Sequence, residues 1–308
     1  MKNIFFRFLF VSVVSATFWS CSKEADLGPT IFDTNETLDP NSATYSFDQW
    51  LNAEFLVPYN IDFRYKMQDV GSDMSYNLVP ATLPKSIEMA KLLKYLWFDV
   101  YALVGGDDFI KDNAPRIIHL IGSPAYNPVS QTMTLGTAEG GIKVTLYRCN
   151  DMEPTKVNEL NEFYFKVIHH EFMHILHQKK MYPIEFKQIS KGNYNPLGWQ
   201  SRTTSQAASM GFVSPYGGSQ EREDFVEIIA NYLVKSDADW NTILELSAEP
   251  GLDIYGKTLP DDGIDGKAVI LQKVKIASGW LKSAWNIDLE ALRSEIMLRE
   301  QTIDALLK

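Results

Sequence analysis

The 308-residue chain has only two cysteines, Cys21 and Cys149, and no excess of basic residues. It contains 29 lysines and arginines against 39 aspartates and glutamates, which gives a formal net charge of −10. An acidic chain without a basic stripe argues against a nucleic-acid partner. If Cys21 carries a lipid, Cys149 has no disulfide partner. No histidine lies near Cys149 in the sequence, so we expect it to be a buried filler, not a nucleophile.

No hydrophobic run near the start is long enough to span a bilayer. Lys2 and Arg7 give a positive start, and the uncharged, mostly apolar stretch of residues 8–18 is typical of a secretory signal. A small residue, Ser20, directly precedes Cys21, which resembles the lipobox of bacterial lipoproteins. We therefore expect the chain to be cut before Cys21 and lipidated there.

The predicted organisation is a signal peptide, a lipidated flexible tether and one folded domain with an N-terminal lobe and a helical lobe. The signal peptide occupies residues 1–20, the tether 21–44 and the domain 45–308. Within the domain, the N-terminal lobe is 45–154 and the helical lobe is 155–308. Apolar spacing predicts helices at 84–104, 155–181, 221–235, 268–285 and 289–307, and β-runs at 116–121, 131–135 and 142–147. A glycine-rich turn is expected at 136–141 and a long loop at 192–218. The pattern predicts an α+β fold with a small mixed sheet and a mainly helical C-terminal half.

The residues that carry chemistry lie in the helix predicted at 155–181. His170-Glu171-Phe172-Met173-His174 fits the H-E-x-x-H pattern. Residues four apart lie one above the other on a helix, so both imidazoles can reach one zinc ion at about 2.0–2.1 Å. Glu171 lies beside the metal without being placed to bind it, and it can take the proton of the metal-bound water. We expect one Zn²⁺ on His170 and His174, with Glu171 as the general base of a hydrolase.

A catalytic zinc site needs a third protein ligand. His177 lies about 10 Å along the helix axis from His170, so one ion cannot readily take all three histidines. Glu223 and Glu227 lie four apart at the margin of an apolar stripe in the helix predicted at 221–235. Two carboxylates at a core edge need a partner. A zinc–histidine centre would satisfy both, because one could bind the metal and the other could accept a histidine N–H.

The run Tyr216-Gly-Gly-Ser-Gln-Glu-Arg-Glu223-Asp-Phe-Val-Glu227 resembles the second zinc motif of the catalytic domain of anthrax lethal factor, a gluzincin-type zinc peptidase. The likeness covers residues 165–232. It implies that Glu223 is the third ligand and that Tyr216 hydrogen-bonds the developing oxyanion. It also implies that Glu227 supports a ligand without binding the metal, and that the fold is zincin-like.

The mature chain more closely resembles a group of lipoproteins of Bacteroidetes-type bacteria described as substrate-import-associated zinc metallohydrolases. The shared features are the lipobox-like start, the run Thr134-Leu-Gly-Thr-Ala-Glu-Gly-Gly-Ile-Lys143, the zinc helix and the Glu-Asp-Phe-x-Glu run at Glu223 to Glu227. This resemblance implies an outer-membrane lipoprotein that faces the periplasm or the cell surface. It also implies a nutrient uptake complex of that membrane as a partner.

We expect a metallopeptidase that hydrolyses a peptide or protein substrate, with one of the β-runs, for example the one at 142–147, pairing to that substrate as an added strand. Two alternatives stay open. The chain could be a substrate-capture lipoprotein with a structural or inactive zinc site, although a structural site would not require Glu171. It could also hydrolyse a glycan-linked substrate, with Tyr194 and Trp199 of the 192–218 loop stacking on sugars.

Overall fold

The computed structural model describes residues 38–67, 76–126, 133–134, 136–139 and 141–307. The chain divides into two compact units, Met1–Tyr45 and Ser46–Lys308, and residues 38–45 are what is described of the first. The predicted signal peptide, Cys21 and the tether up to residue 37 lie outside the described residues. The division of residues 45–308 into two lobes stays a prediction. None of the described helices has the length and apolar character needed to cross a membrane.

The helical segments before residue 117 include the one predicted at 84–104, which is confirmed. It is built from α3 (Leu83–Leu93), a π-helical segment (Lys94–Phe98) and α4 (Asp99–Gly105). Pro84 lies in its first turn, where a missing N–H costs no helical hydrogen bond. Gly106 ends it with φ 90, a conformation that side-chain-bearing residues rarely adopt. The remaining elements here are α1 (Tyr45–Leu51), a π segment (Asn52–Leu56), α2 (Val57–Tyr59) and α5 (Asp107–Asn113).

A small mixed sheet follows, which agrees with the expected α+β class. Its strand order is β1-β2-β6-β5: β1 (Asp62–Arg64), β2 (Ile117–Leu120) and β6 (Lys143–Leu146) are parallel, and β5 (Gly136–Glu139) is antiparallel to β6. Ile118 pairs with Val144, and Thr145 pairs with Thr137 on the other side of β6. β3 (Ala125–Tyr126) and β4 (Met133–Thr134) form a separate antiparallel pair.

Two predictions about these strands are wrong. Residues 136–139 form strand β5, not a turn, and the chain reverses at Gly141, which has φ 73. Residues 142–147 cannot add a substrate strand, because β6 is hydrogen-bonded to β2 on one edge and to β5 on the other. Sequence periodicity identifies a strand but leaves its neighbours open, since pairing joins distant parts of the chain.

The C-terminal half is mainly helical, as expected. Its elements are α6 (Val157–Leu160), a π segment (Asn161–Phe165), α7 (Lys166–Lys179), α8 (Ile184–Ile189), α9 (Thr204–Ser209), α10 (Glu221–Val234), α11 (Asp237–Ser247), α12 (Gly266–Trp285), α13 (Leu289–Glu300) and α14 (Ile303–Leu306). The predicted loop at 192–218 contains α9 and two 3₁₀ turns, Trp199–Ser201 and Tyr216–Gly218. The helix predicted at 289–307 is interrupted after Glu300, and α11 was not predicted, although Ser236 caps it by accepting from the Asp239 N–H.

Helix α7 runs through the core, and its apolar face is held by aromatic rings. Phe172 lies edge-on to Trp97, Tyr101 and Phe109, with ring centroids 5.0–6.0 Å apart. Another side of the helix packs against α10. Close-packed rings leave a helix little freedom to rotate. The core therefore fixes which α7 side chains face α10, and those include His170 and His174.

Candidate metal centre

Three side chains from α7 and α10 converge on one point. His170 and His174 come from successive turns of α7, and Glu223 comes from the first turn of α10. The His170 Nε2 and His174 Nε2 atoms are 3.2 Å apart. Glu223 Oε2 lies 3.3 Å from the first and 3.1 Å from the second. Among the described residues, this is the group of histidines, cysteines and carboxylates whose atoms are close enough to share a metal ion.

Glu227 holds the far side of the His170 ring. The His170 Nδ1–H donates to Glu227 Oε1 at 2.8 Å, and a carboxylate can only accept this bond. Ser214 Oγ–H and the Asn231 amide both donate to Glu227 Oε2. Burial alone would raise the pKa of Glu227, but the hydrogen bond from His170 lowers it to about 2. Glu227 is therefore an ionised carboxylate that fixes the His170 tautomer.

His177 plays the same part for His174. The two rings are joined by a hydrogen bond of 2.9 Å between His174 Nδ1 and His177 Nε2. Burial, together with the electrostatic interaction with His174, lowers the pKa of His177 to about 4, so its ring is neutral at pH 7. A neutral His177 can accept the His174 Nδ1–H, which leaves the Nε2 lone pair of His174 free. His177, which helix spacing excludes as a third ligand, is buried in the structure.

The donor set fits a zinc ion. Two imidazole Nε2 atoms and one carboxylate oxygen face each other at hydrogen-bond distance, and such a group needs a positive charge at its centre, carried either by a ring proton or by a bound metal ion. Burial lowers the pKa of His170, but hydrogen bonds with Glu223 and Glu227 outweigh this and raise it to about 10, so positive charge is favoured at this point. Tetrahedral zinc with bonds of about 2.0–2.1 Å requires ligand atoms about 3.3 Å apart. The measured separations of 3.1–3.3 Å agree.

The three side chains open onto a cleft with a volume of ≈ 350 Å³, which Glu171 and Tyr216 also line. Burial raises the pKa of Glu171, and the electrostatic interactions with His170 and His174 offset this only in part. A carboxylate with a raised pKa is a stronger proton acceptor than one in water. The structure thus brings the predicted base into the same cleft as the predicted ligands.

Tyr216 stands over the His170 ring, with the two centroids 5.8 Å apart, and its other neighbour is the Trp199 ring at 5.0 Å. It belongs to the 3₁₀ turn just before α10. Burial, followed by the carboxylate of Glu223, raises the pKa of the Tyr216 hydroxyl. The hydroxyl therefore keeps its proton and, at the edge of the cleft, interacts with the carboxylate of Glu223.

A buried network that the sequence reading missed fastens the Tyr216 loop to the protein. Lys273 Nζ of α12 lies 2.6 Å from Asp224 Oδ2, and neither side chain is exposed. Lys273 also donates to the Gly211 carbonyl (2.7 Å), and Tyr194 Oη–H donates to Asp224 Oδ2 (2.9 Å). Gly211 and Tyr194 belong to the loop, and Asp224 follows the ligand Glu223. Helix α12 therefore does more than cover the core, because it holds the loop and the ligand helix together.

A signal for this network was present in the sequence. Lys273 lies on the apolar face of its helix, three residues after Ile270 and four before Ala277, and both of these neighbours are buried. A lysine on such a face needs a buried partner.

The alternative of a glycan-linked substrate loses one of its two aromatic residues. The Tyr194 hydroxyl donates to Asp224, and the Tyr194 ring packs on Phe212 with the centroids 5.5 Å apart.

His169, Cys149 and Glu185 do not line the cleft. His169 is buried, with its Nδ1 3.0 Å from the Tyr101 hydroxyl, and burial lowers its pKa to about 3. Cys149 is buried, and burial raises the pKa of its thiol to about 12, so the prediction of an inert filler is confirmed. Glu185 is exposed on α8. Cys21 lies outside the described residues, and its lipidation stays a prediction.

Comparison with known proteins was made by family and by structure. Residues 40–290 match the model of a family described as "Putative zinc-binding metallo-peptidase". A crystal structure at 2.10 Å resolution of a protein from Bacteroides caccae, named a putative zinc-binding metallo-peptidase, is similar to the chain with 42% sequence identity and a TM-score of 0.72. The match covers 90% of this chain and 97% of that one. No curated protein matches the chain.

Proposed function

The chain belongs to this family of zinc-binding metallo-peptidases, and we propose that it is a gluzincin-type enzyme of zincin-like fold that hydrolyses peptide bonds. The observation that carries the proposal is the triangle of His170 Nε2, His174 Nε2 and Glu223 Oε2, with sides of 3.1–3.3 Å, in a cleft that Glu171 also lines. A purely structural zinc site has no need of a base beside an open cleft. Glu171 therefore favours an enzyme over a substrate-capture protein.

Each side chain has a separate task in this proposal. A bound zinc ion would supply a Lewis acid and a water molecule of lowered pKa. Glu171 accepts the proton of the attacking water and passes it to the leaving nitrogen. Tyr216 donates its hydroxyl proton in a hydrogen bond to the developing oxyanion, an interaction of the kind that contributes about 3–4 kcal/mol in enzymes where such a donor has been removed. Glu227 and His177 hold the two imidazoles in the tautomers that leave both Nε2 lone pairs free.

The position of the edge strand suggests how a peptide would lie. β5 is at the end of the sheet, and its Gly136 lies so close to α7 that an added Cβ would be 2.5 Å from Val167 Cγ1. Gly141, just after the strand, lies against Ile175 of the same helix and lines the cleft. An edge strand beside a cleft can pair with an extended peptide through backbone hydrogen bonds. We propose that β5, in place of β6, has this role.

The direct test uses the purified protein, its zinc content and a library of peptides. We expect Glu171→Gln to retain zinc and to lose cleavage by about 10²–10⁴-fold, the usual contribution of general acid–base catalysis. Glu223→Gln should lose zinc. The matched control is Glu185→Gln, an exposed glutamate outside the cleft, which should change neither property. Cleavage that survives Glu171→Gln, or a wild-type protein that binds no zinc, would contradict the proposal.

The anchoring of the protein is a separate proposal. The lipobox-like Ser20-Cys21 and its resemblance to import-associated lipoproteins support an outer-membrane lipoprotein that works beside an uptake complex. Replacement of Cys21 by serine should move the protein from the membrane fraction to the soluble fraction without changing its zinc content. Retention of Cys21→Ser in the outer membrane would show that another feature anchors the chain.

A further inference from the structure

The cleft beside the metal centre contains a positive charge that the hydrolytic mechanism does not use. Of the described residues that line it, Arg222 is the one with a permanent positive charge. Its side chain is 59% exposed, whereas the side chain of its neighbour Glu223 is 8% exposed. Arg222 Nε lies 3.3 Å from Glu223 Oε1, the oxygen that faces away from the two histidines. The guanidinium therefore lies over the cleft, close to the metal centre.

One edge of the guanidinium is left open for a ligand. The ion pair with Glu223 uses Nε, and none of the hydrogen bonds and ion pairs of the described residues involves Nη1 or Nη2 of Arg222. The planar fork of arginine matches the two oxygens of a carboxylate. Since one carboxylate group separates the guanidinium from the zinc-ligand atoms, a second carboxylate on this fork would lie within about one or two residues of the bond that is cleaved.

We propose that Arg222 forms a subsite for a carboxylate of the substrate, and that the enzyme prefers peptides with such a group next to the scissile bond. This inference rests on the proposed hydrolytic function. The carboxylate could be an Asp or Glu side chain or the free C-terminus. Without Arg222, an anionic substrate would meet Glu171 and Glu223 with no permanent positive side chain among the cleft-lining residues. Arg222 supplies that positive charge at the place where the substrate binds.

The first experiment measures binding without cleavage. Zinc-loaded full-length protein is titrated with the monohydroxamates of succinic and glutaric acid. The matched neutral compounds are butanohydroxamate and pentanohydroxamate, in which a methyl group replaces the carboxylate. Because the ion pair is partly exposed, we expect the acidic compounds to bind about 5- to 20-fold more tightly. Arg222→Gln should abolish this difference, and Arg222→Lys should retain part of it. Lys187→Gln is the charge-matched control, because Lys187 pairs with Glu221 at 3.7 Å and does not line the cleft.

The second experiment identifies the source of the carboxylate. Peptides with Glu or Gln at each position that flanks the cleaved bond test a side chain, and peptides ending in an acid or an amide test the C-terminus. The expected kcat/KM preference, again about 5- to 20-fold, should appear in one of these pairs and vanish in Arg222→Gln.

The outcomes separate the two proposals. Equal affinity for acidic and neutral hydroxamates, or a preference that survives Arg222→Gln, would overturn the subsite and leave the hydrolase intact. A uniform loss of cleavage for every peptide in Arg222→Gln would also overturn it, because that result indicates that Arg222 only orients Glu223. If the protein binds neither zinc nor any hydroxamate, the proposed function itself fails.

Discussion

Breaking the buried ion pair of Lys273 and Asp224 on one side only should destabilise the protein far more than removing both charges. Lys273→Met would leave a fully buried carboxylate with the Tyr194 hydroxyl as its remaining donor among the described residues. Asp224→Asn would leave a buried ammonium group without a counter-charge, with the amide oxygen of the new side chain, the Gly211 carbonyl and the face of the Phe212 ring, 4.3 Å from Nζ, around it. An unpaired buried charge of either sign is costly because neither water nor a counter-ion replaces the lost partner.

The expected magnitudes follow from this burial. Removing one partner of a buried pair costs about 3–5 kcal/mol, whereas replacing both by neutral groups is often close to neutral. The double variant Lys273→Met/Asp224→Asn keeps the hydrogen bond from Tyr194, because the asparagine oxygen still accepts it. It loses the donor to Gly211, so we expect a cost of about 1–2 kcal/mol. Independent effects would instead sum to about 6–10 kcal/mol, and the difference is the coupling energy.

The assay is thermal unfolding of the zinc-saturated protein at pH 7, followed by circular dichroism. At about 2–4 °C per kcal/mol for a domain of this size, each single variant should lower Tm by about 6–20 °C and the double variant by less than either. Lys275→Met is the matched control, since Lys275 is an exposed lysine on the same helix, and its Tm should not change. A double variant whose loss of stability equals the sum of the two single losses would refute the reasoning, because additivity would show that the two charges do not depend on each other.

Three further predictions concern other parts of the fold. Glu227→Gln removes the carboxylate that holds His170 and should weaken zinc binding by about 10–100-fold in competition with a chelating dye; unchanged affinity would contradict the role assigned to it. Burial raises the pKa of Glu300 to about 7. A carboxyl whose folded pKa exceeds its unfolded value stabilises below the unfolded pKa and loses that effect as pH rises through the folded pKa. The free energy of unfolding should therefore fall between about pH 5 and 7, at most by about 1.4 kcal/mol per pH unit, and this slope should be absent in Glu300→Gln. Gly136→Ala forces a Cβ to 2.5 Å from Val167 Cγ1 and should cost about 1–3 kcal/mol in chemical denaturation, and a cost near zero would show that β5 can move away from α7.

The parts of the site that local geometry determines could be predicted from the sequence. The four-residue spacing of His170 and His174 places both rings on the same face of a helix. The apolar pattern predicted that this helix packs in the core, and aromatic rings hold it there. The pair Glu223 and Glu227 could be identified as partners of a metal centre because both lie at a core edge, and family resemblance assigned their separate roles. The side chain that completes the Glu227 contacts, Ser214, lies in a loop without periodicity, so nothing in the sequence indicated it.

Strand pairing shows the other limit of sequence reasoning. Residues 142–147 have the composition of a strand, and that was predicted, but whether a strand is central or at an edge depends on segments elsewhere in the chain. β6 has a partner on each side. β5, just before it in the chain, pairs with it in an antiparallel hairpin, and β2, farther away in the sequence, pairs with it in parallel. Gly136, one of the glycines that suggested a turn at 136–141, instead allows β5 to approach α7, whereas Gly141 lies where the chain reverses.

The position of Tyr216 depends on a helix that does not line the cleft. Its loop is fixed at one end by Arg202, which donates to the Asn193 carbonyl and also to that of Gly218, next to the tyrosine turn. Farther along, the loop is held by Lys273 of α12, which lies 62 residues after its acceptor Gly211. The same lysine binds Asp224, so one ammonium group joins the loop that carries the proposed oxyanion donor to the helix that carries the third ligand.

Burying a lysine costs desolvation free energy, and a protein in which hydrophobic residues replace both partners of a buried ion pair is often at least as stable. Its presence here is therefore better explained by the registration of Tyr216 against Glu223 than by stability.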